Sequence, residues 1–194
     1  MFEVGHLSNL TWDSAAWIYS VIIGVVLVRY FMFIANLLQE PKAIKFYYPY
    51  LAFMLVSIIN LYVSWYTGKQ TYTEFEGKTL IFAIRSFSDA ISSIAALIIV
   101  PQDKLLEDFF DMKSWFMKIK KVYFLPWHCF FAFEIQCVLL YPETITTEQL
   151  IGISVFAVIM ALINVVSALS KNDYYLSFHG TLMIVFLSYN LSQL

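Results

Sequence analysis

Residues 84–96 read IRSFSDAISSIAA and lie inside an apolar run, residues 80–100, that is long enough to cross a lipid bilayer. The run nevertheless contains several serines and two charges, and at helical spacing Arg85, Asp89 and Ser92 fall on one face. A charged side chain at the centre of a bilayer costs about 2.5 to 3.5 kcal/mol on insertion scales. We therefore expect this polar face to be turned toward protein or water.

The composition is that of an integral membrane protein. Of 194 residues, 60% are hydrophobic and 13% are charged, whereas about a quarter of the residues of soluble domains are charged. The net charge of −2 is too small to indicate a nucleic-acid partner, and the sequence contains no nucleic-acid-binding motif. Cys129 and Cys137 lie in one apolar segment, which favours buried thiols over a disulfide framework.

Apolar segments of membrane-spanning length recur along the whole chain. Each is close to the ~20 residues that a spanning helix needs. The six segments lie near residues 14–38, 47–67, 80–100, 123–141, 148–170 and 173–192. This pattern predicts an all-α membrane protein, a polytopic bundle of about six transmembrane helices that forms a single transmembrane domain over residues 1–194.

Lysines concentrate in alternate connections, and this asymmetry predicts the orientation of the bundle. By the positive-inside rule, the lysine-rich connections lie in the cytoplasm and both termini lie outside. We expect the protein to be integral to the bacterial inner (plasma) membrane, with the lipid bilayer as its surroundings.

The longest connection, residues 101–122, has apolar residues at helical spacing, among them Met112, Phe116 and Ile119. The spacing predicts an interfacial amphipathic helix over residues 103–121 on the cytoplasmic side. The side chains expected to contact a partner or anionic lipid are Lys113, Lys118, Lys120 and Lys121. Two roles stay open for this segment: a helix lying among lipid headgroups, or a docking surface for a cytosolic protein or an anionic ligand.

Polar residues at membrane depth fall into two levels when about 1.5 Å is allowed per helical residue. The first level, about 7 to 14 Å below the outer edge, holds Asn60, Arg85, Asp89 and Glu134, with Ser88 and Ser92 on the same helix as Asp89. The second level, about 20 to 24 Å down, holds Arg29, His128, Asn164 and His179. Residues at one level can satisfy one another inside the bundle or at an oligomer interface.

The first level allows a structural and a functional interpretation. Arg85 and Asp89 can form an i,i+4 ion pair that neutralises itself and pins the third helix against Glu134 or Asn60. Alternatively, Asp89 and Glu134 relay a proton or a cation, while the serines line a hydrated path. In the second level, we expect Arg29 to snorkel toward the inner interface.

Enzyme signatures are absent from the sequence. It contains no HExxH, GxSxG, P-loop or CxxC pattern. His128 and His179 share a depth that would permit haem ligation, but buried histidines more often have structural hydrogen bonds. We therefore expect no catalytic residue, no metal site and no cofactor. A membrane-embedded enzyme or a haem protein is the least favoured function for this sequence.

The first two thirds of the chain follow a recurring layout. An arginine lies in the first span at Arg29, Trp65 and Tyr66 end the second, and Pro101 ends the third. An aromatic and basic stretch follows over residues 109–121. This layout resembles uncharacterised small six-helix bacterial integral membrane proteins. The resemblance implies a six-helix membrane protein, and it implies neither an activity nor functional residues.

Two functions are compatible with these patterns. The first is a small homo-oligomeric membrane channel or membrane-permeability effector with the polar third helix near the conduction path, since symmetric association would shield the polar face from lipid. The alternative is a membrane anchor or sensor subunit that binds a cytosolic partner through residues 101–122, for example in a bacterial stress or phage-defence system.

Overall fold

The structure is a computed structural model that describes residues 12–39, 44–74, 79–101, 110–140 and 146–192. The described chain is mostly helical, which confirms the helical fold expected from the sequence. The helices are α1 (Trp12–Gln39), α2 (Tyr48–Glu74), α3 (Thr79–Ile99), α4 (Met112–Leu140), α5 (Thr147–Leu169) and α6 (Asp173–Ser192). Two short strands, β1 (Ile44–Lys45) and β2 (Phe110–Asp111), lie in the connections.

Helix α4 differs from the sequence expectation. The sequence predicts an interfacial helix over residues 103–121 and a separate span at residues 123–141. In the structure, one helix runs without a break from Met112 to Leu140, and β2 lies directly before it. Residues 103–109 of the expected interfacial helix lie outside the described residues.

Local hydrogen bonding explains the course of α4. The Asp111 carboxylate accepts hydrogen bonds from the backbone N–H groups of Lys113 at 2.9 Å and Ser114 at 3.2 Å, and this cap starts the helix. Pro126, which is buried in the bundle, removes one backbone hydrogen bond but does not end the helix. Met112, Phe116 and Ile119 form an apolar face, and packing of this face into the bundle stabilises the first turns.

The two strands join two connections at one end of the bundle. They pair in parallel with Ile44 opposite Phe110 and Lys45 opposite Asp111. The Lys45 ammonium lies 3.5 Å from the Asp111 carboxylate. The connection between α5 and α6 also contacts α4 at this end of the bundle. We call it the basic end, after its lysines Lys45, Lys113, Lys118, Lys120, Lys121 and Lys171.

The helices surround a shared interior. Helix α1 packs on α2 and α3, α2 packs on α6, α3 packs on α4, and α4 packs on α5. A smaller contact joins α5 to α6, and α2 also contacts α3 and α4. Most of the buried side chains among the described residues come from α2, α3 and α4.

Three described segments are long and apolar enough to cross a membrane, namely Ser20–Gln39, Tyr48–Tyr66 and Ile151–Leu169. Large apolar side chains are exposed on the outer faces of α1 and α5, including Val21, Val25, Val28, Phe31, Val155, Val158, Leu162 and Val166. A hydrocarbon solvent would make such exposure favourable, which supports a membrane location for the protein.

Candidate functional site

The polar face of α3 is buried inside the chain. Ser88, Asp89, Ser92 and Ser93 are each no more than 1% exposed. The Ser92 hydroxyl donates a hydrogen bond to the backbone carbonyl of Asp89 at 2.8 Å, and the Ser93 hydroxyl donates to the same carbonyl at 3.0 Å. These two hydroxyls therefore satisfy themselves on their own helix, as serines in apolar helices commonly do. Among the described side chains of this face, Asp89 is the ionisable group.

Helix α2 contributes a second row of buried polar residues. Ser57, Asn60 and Ser64 are all buried, and their spacing of three and four residues places them on one face of the helix. Asn60 belongs to the first polar level predicted from the sequence, whereas Ser57 and Ser64 were missed. Their spacing relative to Asn60 is the signal that could have identified them.

The rows on α2 and α3 lie at matching depths. The Tyr50 hydroxyl donates a hydrogen bond to the carbonyl of Ile99 at 3.1 Å, which aligns the start of α2 with the end of α3. Ser57 and Ser92 each lie two helical turns from this contact, about 10 Å along their helices. We call the two rows together the polar seam, whose members are Ser57, Asn60, Ser64, Ser88, Asp89, Ser92 and Ser93.

Aromatic side chains separate the polar seam from the basic end. The hydroxyl groups of Ser57 and Tyr123 lie 3.0 Å apart, and Tyr123 donates a hydrogen bond to the carbonyl of Phe53 at 3.2 Å. Phe53 stacks on Phe116 with ring centroids 5.5 Å apart, and the Phe116 centroid lies 6.3 Å from that of Tyr50. These four rings are at most 1% exposed. We refer to Tyr50, Phe53, Phe116 and Tyr123 as the aromatic layer.

Donors from three other helices bond to the C-terminal end of α3. The Ile99 carbonyl accepts hydrogen bonds from the Tyr50 hydroxyl and from Trp115 Nε1, each at 3.1 Å. Arg29 Nη2 donates to the Val100 carbonyl at 3.5 Å. Such carbonyls have no partner within their own helix, and a cation beside them offsets the helix dipole. Arg29 therefore helps to cap α3 at the basic end.

Two members of the second predicted polar level, Arg29 and His179, have different hydrogen-bond partners. His179 of α6 is paired with α5, since its Nδ1 lies 2.6 Å from the Ser167 hydroxyl. Asn164 lies one turn before Ser167 on the same face of α5 and is also buried. Arg29 instead bonds to the end of α3, and in the described residues no hydrogen bond joins it to Asn164 or His179.

The structure does not describe the side chains of three predicted site residues, namely Arg85, His128 and Glu134. The proposed pairing of Arg85 with Asp89, and the relay from Asp89 to Glu134, therefore stay predictions. Asn60, Ser88, Asp89 and Ser92 all belong to the buried interior.

At the basic end, polar contacts connect α4 with the connection between α5 and α6. Asp173, the first residue of α6, accepts hydrogen bonds from the Lys113 ammonium and from the Tyr47 hydroxyl, the latter at 2.8 Å. The Lys120 ammonium donates to the carbonyl of Ser170, just after the end of α5. These bonds stabilise the relative positions of α4, α5 and α6. The other predicted contact residues here are exposed, namely Lys118 and Lys121.

The cap of α4 has an electrostatic consequence. Hydrogen bonds from the N–H groups of Ser114 and Lys113, together with the charge of Lys45, hold the pKa of the Asp111 carboxyl below its usual range. The carboxylate therefore remains charged at neutral pH and stabilises the first turn of α4.

The seam offers hydroxyl groups, an amide and a carboxyl group, which can coordinate cations or pass protons. In the part of the chain that the structure describes, no group of three or more His, Cys, Asp or Glu side chains is placed to hold a metal ion. Comparisons of this chain with protein-family models, with curated proteins and with solved structures find no match.

Proposed function

We propose that the protein is a small membrane channel or membrane-permeability protein whose conduction path includes the polar seam. The observation that supports this function best is the burial of Asp89 in a largely apolar bundle, on a helix with buried Ser88, Ser92 and Ser93 and at the depth of Asn60. A carboxyl group at membrane depth is costly unless polar groups or water surround it. Polar side chains in rows along an interior provide such surroundings and a route for a proton or a cation.

The aromatic layer acts as the closed gate of this path. From Ser57 to Ser64 the seam extends about 10 Å, roughly a third of a 30 Å hydrocarbon core. Beyond Ser57, the rings of Phe53 and Phe116 fill the interior toward the basic end. An apolar constriction stops ions by excluding water. Opening therefore requires movement of α4, which carries Phe116, relative to α2.

The proposed path runs inside each chain. Because Ser88, Asp89, Ser92 and Ser93 are buried by their own chain, association between chains is not needed to keep these side chains away from lipid. A homo-oligomer would instead use the exposed apolar faces of α1 or α5. A six-span topology with both termini outside the bacterial inner membrane is part of the same proposal, supported by the apolar helices and by the gathering of lysines at one end.

The anchor or sensor function has less support from the geometry. A docking surface over residues 101–122 would present its apolar side chains to a cytosolic partner. Met112, Phe116 and Ile119 are instead buried in the chain's own core, at 0%, 0% and 8% exposure. The lysines of this segment remain accessible in part.

A flux assay in liposomes tests the channel proposal. Because the aromatic layer is the proposed gate, the assay compares the wild type with Phe116→Ala, using an internal pH-sensitive dye and imposed potentials of both signs. We expect Phe116→Ala to raise proton or cation flux. Adding Asp89→Asn to that variant should lower the flux about tenfold, which corresponds to a loss of about 1.4 kcal/mol of stabilisation for the passing charge.

Glu148→Gln is the matched control, since it removes a carboxyl group in the same way from an exposed position on α5. It should leave the flux of Phe116→Ala within about twofold of its original value. Monodisperse elution of every variant from a size-exclusion column verifies folding. The proposal fails if neither the wild type nor Phe116→Ala exceeds empty liposomes, or if Asp89→Asn has no more effect than Glu148→Gln.

A further inference from the structure

We propose that Lys121 and Lys171, which adjoin the two residues of the Lys120–Ser170 contact, bind the phosphate of an anionic phospholipid at the basic end. Lys120 is 5% exposed, and its ammonium donates a hydrogen bond to the carbonyl of Ser170. This contact joins α4 to the end of α5, so the neighbouring residues Lys121 and Lys171 are held on the two sides of one junction.

The charges at this junction are not balanced by described carboxylates. Asp111 and Asp173 lie at the same end, but they are paired with Lys45 and Lys113. Neither Lys121 nor Lys171 forms an ion pair with a carboxylate in the described ranges. A ligand with negative charge would therefore meet a positive surface that the described residues leave uncompensated.

Electrostatic repulsion within the junction agrees with this geometry. Burial lowers the pKa of Lys120, and the nearby charges of Lys121 and Lys171 lower it further. The charge of Lys120 is therefore disfavoured by both of its basic neighbours. An anion bound by Lys121 and Lys171 would relieve that repulsion. The ammonium of Lys120 is already bonded to the Ser170 carbonyl just after the end of α5.

The surface next to these lysines favours a lipid over a soluble anion. Val165, Val166 and Leu169, on the last turns of α5, are 41%, 51% and 65% exposed. Lys171 follows two residues after Leu169, where this apolar surface and α5 end. A phospholipid can place its phosphate at the lysines and its acyl chains along α5, whereas a soluble phosphate or an acidic protein would leave the apolar surface unused.

Native mass spectrometry of the detergent-purified full chain can measure this binding. The probes are phosphatidylglycerol, phosphatidylcholine, inorganic phosphate and a glutamate-rich peptide. We expect phosphatidylglycerol to bind the wild type more tightly than the other three probes. Lys121→Gln and Lys171→Gln should each weaken phosphatidylglycerol binding about fivefold, in line with the typical contribution of one lysine near an anionic headgroup.

The control is Lys45→Gln, which removes the same charge at the same end from a lysine that is paired with Asp111. It should change phosphatidylglycerol affinity by less than about twofold. The lysine site is wrong if Lys45→Gln matches the effect of Lys121→Gln, or if both test variants bind as the wild type does. Equal binding of phosphatidylcholine, inorganic phosphate or the peptide would overturn the assignment to an anionic lipid. The flux of the Asp89 variants does not enter this test, so the two proposals can fail independently.

Discussion

The close contact between α2 and α6 gives a quantitative test of the bundle. A Cβ atom added at Gly180 would lie 2.8 Å from the Cβ of Ala52. Carbon atoms in contact are normally about 3.5 to 4.0 Å apart, so Gly180→Ala must push the two helices apart by about 1 Å. The neighbouring atom is a methyl group on the helix itself, which has no flexible side chain that could move aside.

The expected magnitude comes from two opposing terms. Overpacking of a well-packed interior typically costs about 1 to 3 kcal/mol. Replacing glycine with alanine inside a helix gains about 1 kcal/mol of helix propensity. Gly180→Ala should therefore change the free energy of unfolding by about 0 to 2 kcal/mol in the destabilising direction.

Gly152→Ala is the matched control for the propensity term. Gly152 lies inside α5, and a Cβ atom at this position would have no neighbour within 4 Å. This variant should be as stable as the wild type or up to about 1 kcal/mol more stable. Unfolding in mixed micelles of a mild detergent and increasing dodecyl sulfate would compare the variants, and Gly180→Ala should be less stable than Gly152→Ala by about 1 to 3 kcal/mol.

A second substitution identifies the contact itself. Ala52→Gly removes the methyl group that Gly180→Ala would strike, so the double variant should recover part of the loss. The coupling energy between the two sites should be about 0.5 to 3 kcal/mol, as found for residues in direct contact. Equal stability of Gly180→Ala and Gly152→Ala, together with no coupling to Ala52→Gly, would refute the close packing of α2 on α6.

Two further predictions concern the ends of helices. The pKa of Asp111 is depressed in the folded chain, so its stabilising effect is complete above the unfolded-state pKa of about 3.9 and is lost as the pH falls through the lower folded value. The stability difference between wild type and Asp111→Asn should thus shrink in thermal unfolding as the pH falls below about 3.9, and a constant difference over that range would contradict this. Trp115→Phe or Tyr50→Phe should each cost about 1 kcal/mol in a dodecyl sulfate titration, and the double variant more, because the Ile99 carbonyl then loses both donors. Wild-type stability of the double variant would show that these bonds do not cap α3.

The limits of sequence analysis are clearest at α4. Met112, Phe116 and Ile119 recur at helical spacing, which predicts a helix correctly. The same spacing suits a helix lying on a membrane surface and a helix packed into a bundle. The interior position of Phe116 depends on the rings of Phe53 and Tyr50, which are distant in sequence. The pattern therefore indicated the secondary structure but not its neighbours.

The polar residues show a related limit. Depth along a helix follows from residue number, because each residue adds about 1.5 Å. Depth predicted that Asn60, Ser88 and Asp89 lie at similar levels, and all three are buried in the structure. It also grouped Arg29 with His179, although they contact different helices. Helix order and rotation about the axis decide which side chains meet, and a single sequence does not report either.

The sequence alone determined that this protein is helical and that apolar segments long enough for a membrane enclose polar residues in their midst. These properties follow from contributions that add residue by residue, such as hydropathy and backbone hydrogen bonding. The tertiary structure decided that Ser88, Asp89, Ser92 and Ser93 are buried inside their own chain, at the depth of the row of Ser57, Asn60 and Ser64. It also decided that aromatic rings close the interior toward the basic end. Those arrangements depend on which helices are neighbours, because buried polar groups need partners or water that only the assembled bundle can supply.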